Sequence, residues 1–160
     1  MSRKIKALTI WQPWASLVAL GEKQYETRDW KTSYRGLIAI HAAARKPTSN
    51  DFWHMQNVLG ATLEEHGLPD DPRLLPQRAM LCVGRLVDCI PTERVMETML
   101  YSSREYMFGN FQLGRFAWKI EMVHRFETPI PVSGQQGLWN WVVPESIWQP
   151  EWEKGSVTYA

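Results

Sequence analysis

At 160 residues, 44% hydrophobic and 22% charged, the chain has the size and balance of one globular domain with its own core, which sets aside multi-domain and disordered readings. Eighteen Lys and Arg against seventeen Asp and Glu leave a formal charge of +1, so a wide phosphate-neutralising face is excluded and any nucleic-acid contact has to be local. Nine Trp, five Tyr and five Phe can fill a core or supply stacking surfaces.

Residues 1–8 are too short and too charged (Arg3, Lys4, Lys6) for a signal peptide, and no apolar run reaches the length of a membrane span. A cytoplasmic, reducing setting fits. Cys82 and Cys89 stand seven apart in one predicted strand, an odd offset that points them to opposite faces and keeps them unpaired. Gly-rich phosphate loops, Gly-x-Ser-x-Gly, His-Glu-x-x-His and the Pro-Cys-x-x-Cys unit of zinc deaminases are all missing. The sequence implies neither a metal site nor a cofactor.

In chain order, residues 4–10 predict a short strand that ends at Trp11-Gln12-Pro13-Trp14, where Pro13 suits the first position of a helix. That helix is expected to run to Leu20 and close at Gly21 in the left-handed conformation. The period then changes to two over residues 24–30, with Tyr25, Thr27 and Asp29 on one face and Glu26, Arg28 and Trp30 on the other. Residues 36–43, apolar except for His41, predict a strand covered on both faces.

Helical patterns at 51–59 and 62–66, followed by Gly67, Pro69, Pro72 and Pro76, mark a peripheral helical excursion at about 45–78. Strand character returns over 79–90, with Gly84 as a candidate bulge, and Thr92 offers a cap for a helix to Leu100. A loop over 101–114 leads to the alternation of Phe116, Trp118, Ile120, Met122 and Phe126, an antiparallel strand with one wet face. The last short strand, 137–142, sets Trp139 and Trp141 in the core with Asn140 between them. Five or six strands with short helices predict a small closed or nearly closed barrel, all within a single domain spanning 1–160.

Gly21-Glu22-Lys23-Gln24-Tyr25-Glu26-Thr27-Arg28 resembles the Gly-x-Lys-x-x-Glu-x-Arg signature of ASCH domains, the activating-signal-cointegrator homology family. Further segments resemble the family in order: Leu8 to Ala15, Ile38 to Ala43, Val83 to Asp88, Gly114 to Trp118 and Gly137 to Trp141. The resemblance implies an α+β fold, a PUA-like and mostly antiparallel β-barrel with short flanking helices and a cleft beside the helix that precedes the signature. It also implies RNA among the ligands of the wider superfamily. Within the family it implies several activities: hydrolysis of the acyl amide of N4-acetylcytidine, ribonuclease activity, and accessory modules of RNA or transcription proteins. Fold is constrained more tightly than function.

The sharp signal is Lys23, Glu26 and Arg28. Glu26 and Arg28 share a strand face, and Lys23 can reach the same space from the bend at Gly21, which makes two cations around one carboxylate. Arg28 can hold a phosphate with its fork while Glu26 accepts from an exocyclic base amine. The plain alternative is a structural Glu26–Arg28 ion pair. Around this set, Trp11 and Trp14 can stack on a base or pack in the core, and Gln12 can read a base edge from the rim. His41 is either a satisfied buried imidazole or a base.

For hydrolysis, Lys23 can stabilise an oxyanion and Glu26 can activate water. The amidohydrolase members carry threonine where this sequence has Glu26, and strand alternation turns Thr27 away, so no threonine-ester route is expected. The expected function is binding of a nucleotide or short single-stranded RNA in the Lys23, Glu26 and Arg28 cleft, with Gln12, Trp14 and His41 as further ligand contacts. Hydrolase action on acylated cytidine, a ribonuclease, and a protein-interaction module are the alternatives.

Overall fold

The computed structural model describes residues 2–154. Its frame is a six-stranded sheet of β1 (Arg3–Ile10), β2 (Tyr25–Arg28), β3 (Gly36–Ala42), β4 (Ala79–Pro91), β5 (Phe116–Pro131) and β6 (Leu138–Val143), in the order β2-β5-β4-β3-β1-β6. Only β1 and β3 run parallel; every other neighbouring pair is antiparallel. The mixed, mostly antiparallel expectation therefore holds, but the sheet does not close into a barrel.

The reason lies at β2, which is four residues long and has three of its outward backbone groups, the Tyr25 N–H and the Tyr25 and Thr27 carbonyls, satisfied by side chains. Glu105 accepts from the Tyr25 N–H at 2.6 Å, Lys23 donates to the Tyr25 carbonyl, and Arg115 donates to the Thr27 carbonyl at 3.0 Å. An edge with most of its donors and acceptors already paired offers a poor ladder to a closing strand. At the other end, β6 pairs with β1 only as far as Leu8, so Thr9 and Ile10 extend beyond it. The Thr9 carbonyl accepts from Arg28 Nη2 at 2.8 Å, and a side chain from β2 thus touches β1 where a barrel would have backbone pairing.

The helix α1 (Trp14–Ala19) is shorter than the predicted span and almost wholly buried. Ala15, Val18 and Ala19 pack on Leu8, Ile38, Ile40 and Trp118 of the sheet. Its opposite side sends Leu17 into a second cluster with Met55, Leu59 and Leu63. Those three belong to the excursion, a single helical run of α2 (Ser49–His54), a π-helical turn (Met55–Leu59) and α3 (Gly60–Glu65). The excursion is therefore the outer cover of α1, with fully buried side chains of its own. A helix that is apolar all round needs such a second layer.

Buried residues lie on both faces of β3, as its apolar run predicted: Ile38, Ile40 and Ala42 join one cluster, Leu37 and Ala39 the other. Strand alternation fails where bulges intervene. The β4–β5 register shifts near Val83/Gly84 and again near Leu86/Asp88. As a result Cys82 and Cys89 pack against the same cluster, against the prediction of opposite faces, and both are free thiols. Phe126 likewise crosses to the face opposite Trp118 and Ile120. The segment read as loop contains a short helix, α5 (Arg104–Met107), while the helix from Thr92 ends at Val95 as α4 (Thr92–Val95). Thr92 does not cap that helix; its hydroxyl donates to the Gln112 carbonyl at 2.7 Å.

Candidate functional site

The route of the chain into the site is set by the end of α1. Gly21 takes φ +77°, and the N–H groups of Glu22 and Lys23 both donate to the Leu17 carbonyl at 3.1 Å. This glycine-closed helix end reverses the chain and carries Lys23 back under α1 into β2. Lys23 is 4% exposed, and burial pushes its ammonium below the ordinary lysine pKa against the opposing pull of Glu26 and Glu105. The charge of Arg28 lowers it further. Lys23, Glu26 and Arg28 are thus within electrostatic reach of one another.

Glu26 and Arg28 share a face of β2. Glu26 Oε1 lies 3.4 Å from Arg28 Nε, and the carboxylate is nearly buried. Two atoms of this pair stand out: Glu26 Oε2 and Arg28 Nε are buried and have no hydrogen-bond partner among the described residues. Thr27 faces the other way, as alternation predicted, and its hydroxyl accepts from the Asn110 N–H at 3.2 Å. A cavity of about 340 Å³ is lined by Lys23 with Gly21, Lys119 and Glu121; Glu26 and Arg28 do not line it.

The remaining predicted contacts are placed differently. Gln12 is buried, and its amide is spent on the fold: Oε1 accepts from the Ser16 N–H at 3.0 Å while Nε2 donates to Ser16 Oγ and to the Pro76 carbonyl, both at 2.8 Å. Because Pro13 offers no capping side chain, Gln12 serves as the N-terminal cap of α1 and ties it to the end of the excursion. Trp14 is half-buried between the two clusters flanking α1, with its ring 5.6 Å from His54 in an edge-on contact. Trp11 alone of the early indoles is open, 59% exposed.

His41 is buried, with Nε2 2.7 Å from the Val132 carbonyl and Nδ1 3.2 Å from the Thr9 hydroxyl. The carbonyl can only accept, so Nε2 carries the proton. His41 lines a different cavity, of about 400 Å³, with Thr9, Arg78, Ser133 and Gly134. Thr9 joins the two regions, its carbonyl on Arg28 and its hydroxyl beside His41. Sequence reasoning missed Thr9, Glu105 and Arg115. The first is revealed only by the parallel register that sets it beside His41, and the other two lie in or just after a stretch without periodicity.

The chain matches the ASCH domain family over residues 8–147. It belongs to that family. Among curated proteins this ASCH domain is similar to human Activating signal cointegrator 1, 30% identical over 142 residues, and to the mouse protein, 28% identical over 142 residues. Each alignment covers 82% of this chain and 21% of the relative, so the chain spans about a fifth of their length. Among solved structures it is similar to the crystal structure of ASCH from Zymomonas mobilis, with 11% identity, a TM-score of 0.49 and 88% of each chain covered. Among the described residues no group of His, Cys, Asp and Glu is arranged to hold a metal, and no helix is long and apolar enough to cross a membrane.

Proposed function

We propose that this ASCH domain binds a nucleotide or a short single-stranded RNA, with the base held at Glu26 and Arg28 and Lys23 supplying charge behind them. The observation that supports it is a pair of buried atoms without a hydrogen bond: Glu26 Oε2, and Arg28 Nε, which the other carboxylate oxygen approaches only as an ion pair at 3.4 Å. A buried polar atom without a partner costs about 1–3 kcal/mol, and native proteins keep few of them. By contrast, the side-chain polar groups of Gln12, Thr27 and His41 all have hydrogen-bond partners. An acceptor oxygen beside a guanidinium N–H complements the amine and ring-acceptor edges of cytosine or adenine. The PUA-like character implied by the family supports RNA as the source of that base, and the formal charge of +1 suits a local contact.

The test is calorimetric titration with cytidine, adenosine, N4-acetylcytidine and short RNAs against the wild type and Glu26→Gln. Binding that weakens in the variant supports the reading; wild-type binding unaffected by both Glu26→Gln and Arg28→Lys refutes it. A hydrolase is the second reading, favoured by one observation: a buried lysine of lowered pKa stands beside a carboxylate with a free oxygen. Mass analysis of the N4-acetylcytidine mixture reports cytidine if that reading is right.

A further inference from the structure

Trp11 is exposed on one side, while the Arg45 guanidinium lies 4.1 Å from its ring centre on the other. Arg45 is itself fixed, because its Nη2 donates to Asp51 Oδ1 at 2.9 Å. Asp51 is buried in the cap of α2, where Oδ2 accepts from the Thr48 N–H at 2.7 Å. The indole is therefore backed by a planar cation that a buried carboxylate holds in place, and its free face is a rigid stacking surface.

Along the chain this surface adjoins residues that line the His41 cavity. Thr9, in the wall, precedes Trp11 by two residues, and Ala43 and Ala44, also in the wall, lead into Arg45. The two segments stay joined there, since the Ala43 N–H donates to the Ile10 carbonyl at 2.9 Å. Arg78 lines the same cavity and is in none of the ion pairs found among the described residues. Its backbone is held at φ +50°, the one non-glycine residue in the left-handed region among those described, by the Val132 N–H on its carbonyl at 3.1 Å. Backbone strain of this kind clusters at ligand clamps, and here it presents a cation without an ion pair to the cavity. At about 400 Å³ the cavity suits a ligand of nucleotide size.

We propose that Trp11, Arg45 and Arg78 form a second nucleotide subsite, in which a base stacks on Trp11 and its phosphate enters the cavity toward Arg78. Resting on the reading of Glu26 and Arg28 as the first base receptor, the subsite makes a single strand of at least two nucleotides the ligand, in place of a free nucleoside. Thr9 makes the two sites contiguous, because one residue separates the Arg28 guanidinium from the cavity.

The experiment uses the full chain and two kinds of probe: a fluorescein-labelled RNA hexanucleotide of mixed sequence, followed by anisotropy, and its constituent nucleosides, followed by calorimetry. Trp11→Ala and Arg78→Asn are each expected to weaken the hexanucleotide about tenfold while leaving nucleoside binding within about twofold. Asparagine is chosen because it tolerates the left-handed backbone at 78. Trp11→Phe, which keeps a stacking face, is expected to restore most of the loss. Hexanucleotide affinity unchanged in both Trp11→Ala and Arg78→Asn overturns the subsite. Dependence on Trp11 and Arg78 without dependence on Glu26 supports the subsite and removes the Glu26–Arg28 receptor. A wild-type protein that binds neither probe overturns both.

Discussion

Arg28 donates to the Thr9 carbonyl at 2.8 Å, across the place where β2 approaches β1 without a backbone ladder. One guanidinium therefore performs two tasks, since its Nε also lies 3.4 Å from Glu26 Oε1. A planar fork can address a carbonyl and a carboxylate at once, and a single ammonium cannot. Arg28→Lys is accordingly expected to lose about 1–2 kcal/mol of stability by chemical denaturation. It is also expected to weaken nucleotide binding, because the only remaining donor group cannot serve the ligand and Thr9 together. A variant of unchanged midpoint would show that the Thr9 contact contributes nothing to the fold.

Glu26→Gln separates binding from turnover. The substitution keeps the shape and one acceptor oxygen but removes a nearly buried charge whose Oε2 has no partner. The ligand-free protein is expected to lose up to about 3 kcal/mol of stability, because removing this carboxylate leaves Arg28 without its ion-pair partner and buried Lys23 without an opposing charge. Nucleotide binding is expected to persist but weaken about tenfold. Any release of cytidine from N4-acetylcytidine is expected to vanish, because an amide cannot take a proton from water.

Lys23 yields a pH prediction. Its folded pKa lies below the ordinary 10.5, with burial as the main cause. Between the folded value and 10.5 the unfolded chain binds more protons, so stability rises with pH through that window and is lost as pH falls back through it. Lys23→Met removes the buried charge and is expected to flatten this dependence while weakening anionic ligands. Denaturation midpoints of both proteins across the alkaline range check it, and parallel curves would contradict it.

How much was legible in the sequence can be judged at single residues. The turn at Gly21, the shared face of Glu26 and Arg28 and the opposite aim of Thr27 follow from local rules, a left-handed glycine and a period of two, and the structure has them all. Barrel closure was not legible because it depends on whether Tyr25 and Thr27 keep free backbone groups, and these are taken by Glu105 and Arg115, some 80 residues away. Gln12 shows the same limit. Its side chain reads as a free amide until Pro76, at the end of the excursion, comes within reach. One register shift falls at Val83/Gly84, on the glycine read as a candidate bulge, but the shift at Leu86/Asp88 carries no such sequence mark, and Cys82 and Cys89 end on one face.

Those cysteines give a further test. Burial pushes the Cys82 thiol up to about 12, and its side chain is inaccessible, whereas Cys89 is only half-buried. Titration of the native protein with a disulfide reagent at neutral pH is expected to modify Cys89 first and Cys82 only after denaturant is added. Rapid reaction of two thiols in the native state would place Cys82 outside the core.

Gly134 sits where the β5–β6 connection closes over His41. A Cβ built there would lie 2.5 Å from His41 Cε1 and 2.9 Å from Thr9 Oγ1. Neither neighbour can give way easily. The imidazole is held by the Val132 carbonyl at 2.7 Å and lies 3.2 Å from the Thr9 hydroxyl, and that hydroxyl accepts from Trp139 Nε1 at 3.1 Å. Gly134→Ala is therefore expected to cost about 1–3 kcal/mol through overpacking. Gly137→Ala serves as the control, since φ +68° makes alanine strained there but no atom lies within 4 Å of its Cβ, and a cost of about 1 kcal/mol is expected. The same contact carries a pH signature. Burial pushes His41 below its ordinary 6.5, against the opposing bond to Val132 and with a further push from Arg78. The stability it contributes is complete above 6.5 and is lost as pH falls through the folded value. Because Gly134→Ala forces the loop off the imidazole and admits water, His41 is expected to titrate closer to 6.5 in the variant, as read from its ring proton shifts by NMR. If the variant is as stable as Gly137→Ala and His41 titrates unchanged, the loop slides freely over the ring, and the wall of the cavity that Arg78 shares is not fixed by this contact.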